Sequence, residues 1–155
     1  MLTGLFTRLI HRFAAPAPAE EPDDALNRLL DLLAAQAAHD HWKIRFEGQL
    51  SGLADAGMQP EDICFDDRCV LGRWLQGDGK VSVGHLPAFR QLVDCHRSFH
   101  HAASNLLSLQ RSGRMHEMHR LHSGAYSTSA SAISRSFMAL RRQLDLPQDP
   151  APRPG

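Results

Sequence analysis

The chain has 155 residues, 43% apolar and 22% charged, which suits one soluble domain with its own core. Its 17 lysines and arginines equal its 17 acids, so charge gives no support for a nucleic-acid footprint, and no nucleic-acid partner is expected. No apolar run approaches the roughly 20 residues needed to span a bilayer.

Residues 2 to 13 form a short basic amphipathic segment. Leu2, Leu5, Phe6, Leu9, Ile10 and Phe13 fall on one side, and Arg8 and Arg12 nearer the other. Three settings suit such a piece: packing on its own domain or a dimer mate, docking on a partner bundle, or lying on a membrane surface. It lacks the features of a secretory signal. Pro16, Pro18 and Pro22 make residues 14–22 a stiff linker. The folded domain is expected over 23–146, with a proline-rich tail over 147–155.

The first long helix is expected from about Asp23 to Leu53. Ala25, Leu32, His39, Phe46 and Leu53 repeat every seven residues, and Leu29, Leu33, Trp42 and Leu50 widen that stripe. Asp40, Lys43 and Glu47 lie off it. The pattern then breaks into a loop to Asp67. A short helix follows around Cys69, Gly72 and Trp74, with Asp66 or Asp67 as its N-cap. A cysteine near a helix N-terminus is expected to have a lowered thiol pKa. Gly77 to Lys80 reads as a second loop.

Pro87 opens a long helix that stops at Ser112-Gly113. Phe89, Val93, His96, His100, Ala103 and Leu107 share one face of it, which puts two histidines one turn apart inside an apolar stripe. The last helix is expected from Arg114 to Leu146, with a break near Gly124 and a stripe of Met118, His122, Ala125, Ser129, Ile133, Phe137, Leu140 and Leu144. No β pattern competes, so the fold class is all-α.

Ten histidines and three cysteines put metal chemistry in view. The odd cysteine count, with no secretory signal, argues against a secreted disulfide framework and makes the cytosol the expected compartment. His39, Cys69, His96 and His100 are a normal four-coordinate ligand set for zinc. Burying three imidazoles and a thiolate without partners is expensive, and one divalent cation satisfies all four. Spacing alone is weak evidence. A helical H-x-x-x-H is common on surfaces, and a lone histidine on an apolar face is more often a core residue than a ligand.

Three pieces stand in order: His39-Asp40-His41-Trp42, then Cys69-Val70-Leu71-Gly72-Arg73-Trp74, then His96-Arg97-Ser98-Phe99-His100. Together they resemble the chemoreceptor zinc-binding domain, a bacterial helical module, over about Asp23 to Leu146. The resemblance implies an antiparallel four-helix bundle with one short helix carrying the cysteine, and a homodimer. It implies zinc held by His39, Cys69, His96 and His100. It also implies a cytoplasmic sensor of zinc or of oxidants such as hypochlorous acid, with the cysteine as the reactive group. Such domains act with chemoreceptors or diguanylate cyclases, or stand alone.

His41 lies about 200° around the helix from His39, and His101 about 100° from His100, so neither shares the inward face. His116, His119 and His122 read as solvated or partly buried. Cys64 and Cys95 read as ordinary cysteines or as resolving thiols for an oxidised Cys69. No enzyme is expected. Four protein ligands leave no open position for water, no glutamate stands beside the histidine pair, and a di-iron bundle needs more carboxylates than Glu47 and Asp94. A structural zinc bundle or zinc buffer fits the same ligands.

Overall fold

A computed structural model describes residues 22–53 and 57–145. The amphipathic segment over 1–13, linker residues 14–21 and the tail over 147–155 lie outside the described residues. Among those described, every regular element is helical and no strand occurs.

Helix α1 spans Pro22–Leu50 and buries Leu32, Ala35, His39 and Phe46 on one stripe. It stops three residues short of the expected Leu53. Gly52 takes φ +69°, and the amides of Gly52 and Leu53 donate back to the carbonyls of Gln49 (3.1 Å) and Gly48 (3.0 Å). This left-handed cap satisfies the last carbonyls and turns the chain away, which leaves Leu53 in solvent.

The stretch expected as one long loop folds into short helices. Helix α2 is Pro60–Ile63, with proline at its start, and a 3-10 turn covers Asp66–Arg68. Helix α3 is Val70–Gln76. Helix α4, Asp78–Val83, replaces the second expected loop. It can follow α3 so closely because Gly79 lies directly under the Trp74 indole, where a Cβ would collide.

Helix α5 runs from Pro87 to Arg111, and Gly113 at φ +71° ends it with the same cap geometry as α1. Helix α6, Met115–Leu121, continues through a wide π turn, His122–Tyr126, into α7, Ser127–Asp145. Gly124 in that turn has non-helical angles, which places the expected break. The turn also corrects the expected stripe. A π turn holds an extra residue, so the inward register slips by about 100°. His122 and Ala125 become exposed and Tyr126 is buried instead, after which Ser129, Ile133, Phe137 and Leu140 continue the buried line.

The most extensive packing is α5 on α7, and α1 lies against α3 and α7. The core between them holds Leu71, Leu92, Phe99, Leu106, Leu107, Phe137 and Leu140, each contributing about 1.5–3 kcal/mol by leaving water. Small side chains on α7 let α5 approach, and Ser136 Oγ stands 3.9 Å from Cys95 Sγ. Among the described residues no helix is long and apolar enough to cross a membrane.

Candidate metal centre

His39 comes from the middle of α1, His96 and His100 from consecutive turns of α5, and Cys69 from the residue just before α3. The ring of His96 stands 4.6 Å from that of His100 and 5.3 Å from that of His39. One ring nitrogen from each of the three histidines lies within 4.8 Å of the others. Cys69 Sγ joins the group at His96 Nε2, 3.3 Å away. The three imidazoles and Cys69 are buried.

Cys69 is itself the N-cap of α3, which corrects the expectation of Asp66 or Asp67 in that role. Its Sγ accepts a hydrogen bond from the Gly72 amide at 3.2 Å. Gly72 has no room for a side chain, because a Cβ there would strike the Asp66 carbonyl oxygen. The cysteine and the glycine three residues later are therefore one device. The glycine lets the 3-10 turn close over α3, and its amide points at sulfur.

Aromatic rings wall the cluster. Trp42 lies 4.8 Å from His100 and stacks on Phe46 at 5.4 Å, and Phe99 meets His39 edge-on at 5.1 Å. This dry setting disfavours charge. Burial, with smaller contributions from His100 and Lys43, pulls His39 down to about 3. Burial, then His100 and His39, pulls His96 down to about 2. His100 also titrates below its ordinary value, since burial outweighs the Ile63 carbonyl and Asp66. The expected lowering of the Cys69 thiol is overturned. Burial pushes it up and outweighs the Gly72 and Leu71 amides and Arg73.

Residues 39–107 match the chemoreceptor zinc-binding domain family. The chain carries a chemoreceptor zinc-binding domain. No curated protein and no solved structure matches it. The matched span of the zinc-binding domain contains all four clustered side chains and stops inside α5, before α6 and α7.

The residues present fit a divalent cation. Both ring nitrogens of His39, Nδ1 of His96 and Nε2 of His100 are buried without a hydrogen-bond partner. Orphaned buried nitrogens are costly, and neutral imidazole lone pairs are what zinc takes. His100 is pre-set for this. Its Nδ1 lies 2.7 Å from the Ile63 carbonyl, and a carbonyl only accepts, so the proton sits on Nδ1 and Nε2 keeps its lone pair.

His41, His101, His116, His119 and His122 are all exposed. All three cysteines are free; Cys64 and Cys95 are half-buried and bond the carbonyls of Glu61 and Leu92. Two parts of the zinc-binding domain's surroundings escaped sequence reasoning. The Ile63 carbonyl had no signal except Pro60, which marks a helix start. Glu47, off the apolar stripe, is half-buried and accepts from Tyr126 Oη at 3.1 Å.

Proposed function

We propose that this chain is a zinc-dependent sensory module in which His39, Cys69, His96 and His100 hold one zinc ion. Site occupancy, or oxidation of Cys69, is passed to a partner such as a chemoreceptor or diguanylate cyclase. The observation that carries this reading is the convergence of three buried imidazoles, one ring nitrogen from each within 4.8 Å of the others, with the Cys69 sulfur at the edge of the group. Zinc bound there supplies positive charge that stabilises the thiolate and satisfies the imidazole lone pairs.

The chain's own residues prepare the site. The Ile63 carbonyl orients His100, the Gly72 amide faces the Cys69 sulfur, and Trp42, Phe46 and Phe99 exclude water. The ligands stand on three separate segments, so filling the site ties the start of α3 to α1 and α5, and emptying it releases that tie.

The antiparallel four-helix arrangement and a cytosolic setting belong to the same reading. Residue pairing supports the arrangement. Glu47 and Leu50 of α1 meet Tyr126 and Gln110, while Cys95 of α5 meets Ser136 of α7. That gives α1 and α5 one direction and α7 the other.

Hydrogen exchange of the zinc-loaded and chelated protein tests sensing against a purely structural role. A sensor should show exchange rising mainly over residues 66–76 on chelation. Loss of protection throughout the bundle would favour a structural zinc. Oxidant sensing adds a second outcome: Cys69→Ser should abolish any shape change caused by hypochlorous acid, and an intact response would refute that trigger.

A further inference from the structure

Next to the histidine cluster lies a cavity of about 400 Å³. Cys69 and His100 both line it, with Val70 and Arg73 from the start of α3. His100, itself buried, forms part of the wall beside the thiol. Elsewhere Cys69 is well covered, only 8% exposed.

The charge of this lining is unbalanced. It holds two guanidinium groups, of Arg68 and Arg73, against one carboxylate, of Asp62. Arg68 Nη1 lies 2.9 Å from Asp62 Oδ1, so those two charges offset each other. Arg73 donates to the Arg68 carbonyl oxygen at 2.6 Å, and among the described residues no carboxylate pairs with it. One uncompensated cation therefore stands over a concave route to the sulfur. A recess of one sign concentrates ions of the other.

We propose that this cavity is the route by which small anionic reagents reach the Cys69 sulfur, and that Arg73 is the residue that selects them. The inference rests on reading Cys69 as the chemically addressed ligand of the site. It adds the class of reagent and the residue that discriminates.

The test uses the full chain carrying Cys64→Ser and Cys95→Ser, so that Cys69 is the remaining thiol. Iodoacetate and iodoacetamide differ in charge and share one reaction. The sulfur forms a bond to the methylene carbon, iodide leaves with the bonding pair, and the thiol proton goes to solvent. The rate ratio of the two reagents at Cys69, read by mass spectrometry, cancels any change in thiolate fraction.

Arg73→Gln should lower the iodoacetate-to-iodoacetamide ratio about fivefold at low salt. Arg73→Lys should keep it, and high salt should erase the difference. Val70→Trp, at an exposed position on the cavity wall, should slow both reagents. An unchanged ratio in Arg73→Gln, or unchanged rates in Val70→Trp, would overturn the proposal. Zinc content measured on the same samples separates the two readings. A charge-dependent ratio on a chain that binds no zinc sinks the metal assignment alone, and zinc with no ratio change sinks this inference alone.

Discussion

His100 donates from one ring nitrogen to the Ile63 carbonyl and holds the other free toward the cluster. His39 and His96 lack such an outer partner and are kept neutral by their dry surroundings. That difference has a pH consequence. In the unfolded chain a histidine takes its proton near 6.5, whereas His39 in the fold does so near 3. Between these values the unfolded state binds more protons, so stability rises with pH. The stability is fully present above about 6.5 and is lost as pH falls toward 3.

Chelated protein should thus be weaker by about 1 kcal/mol for each such histidine at one unit below 6.5. Urea midpoints at pH 7.5 and 5.5 measure this, and His39→Phe should flatten the dependence. Equal midpoints for the parent would show that the imidazoles are not held neutral. A second residue-scale expectation concerns the hydroxyl of Tyr126 on Glu47. Tyr126→Phe should cost about 1 kcal/mol in urea unfolding, and Glu47→Ala should add little on top of it, because both remove the same bond. Fully additive losses would mean the pair is not coupled.

Helix α3 is a seven-residue element that could not persist on its own propensity. It is held by Leu71 and Leu75 in the core and by the Cys69–Gly72 cap. Gly72→Ala forces a methyl group into the Asp66 carbonyl, so it should destabilise the chain by about 1–3 kcal/mol and weaken zinc retention together. Gly77→Ala, whose Cβ meets one carbonyl oxygen at 3.2 Å, should be the milder change. Denaturation midpoints and competition with a chelator read both effects, and a Gly72→Ala chain as stable and as metal-retentive as the parent would refute the cap's role.

What the sequence made legible follows from the range of the forces. Long helices with a repeated apolar face, and glycine stops such as Gly113, are written locally. So was the choice of His39 over His41, since only one of them lies on the Leu32–Phe46 column. Helices α2 and α4 are tertiary products. The Ser104 hydroxyl and the His100 ring take the carbonyls of Pro60 and Ile63, and Trp74 covers Gly79, with no periodicity to announce either helix. The thiol environment of Cys69 was misjudged for the same reason, because burial by distant segments outweighs the nearby amides.

The whole molecule gathers four candidate ligand side chains from three segments into one buried cluster, while the other described histidines are exposed. Cysteine chemistry and helix position meet there, and zinc binding as proposed requires all four side chains to act on one ion. Elemental analysis of the purified chain is therefore decisive. One zinc per chain is expected in the parent and in His41→Ala and His101→Ala, with a clear loss in each of His39→Ala, Cys69→Ala, His96→Ala and His100→Ala. A folded parent that carries no metal, or zinc content indifferent to those four changes, would contradict it.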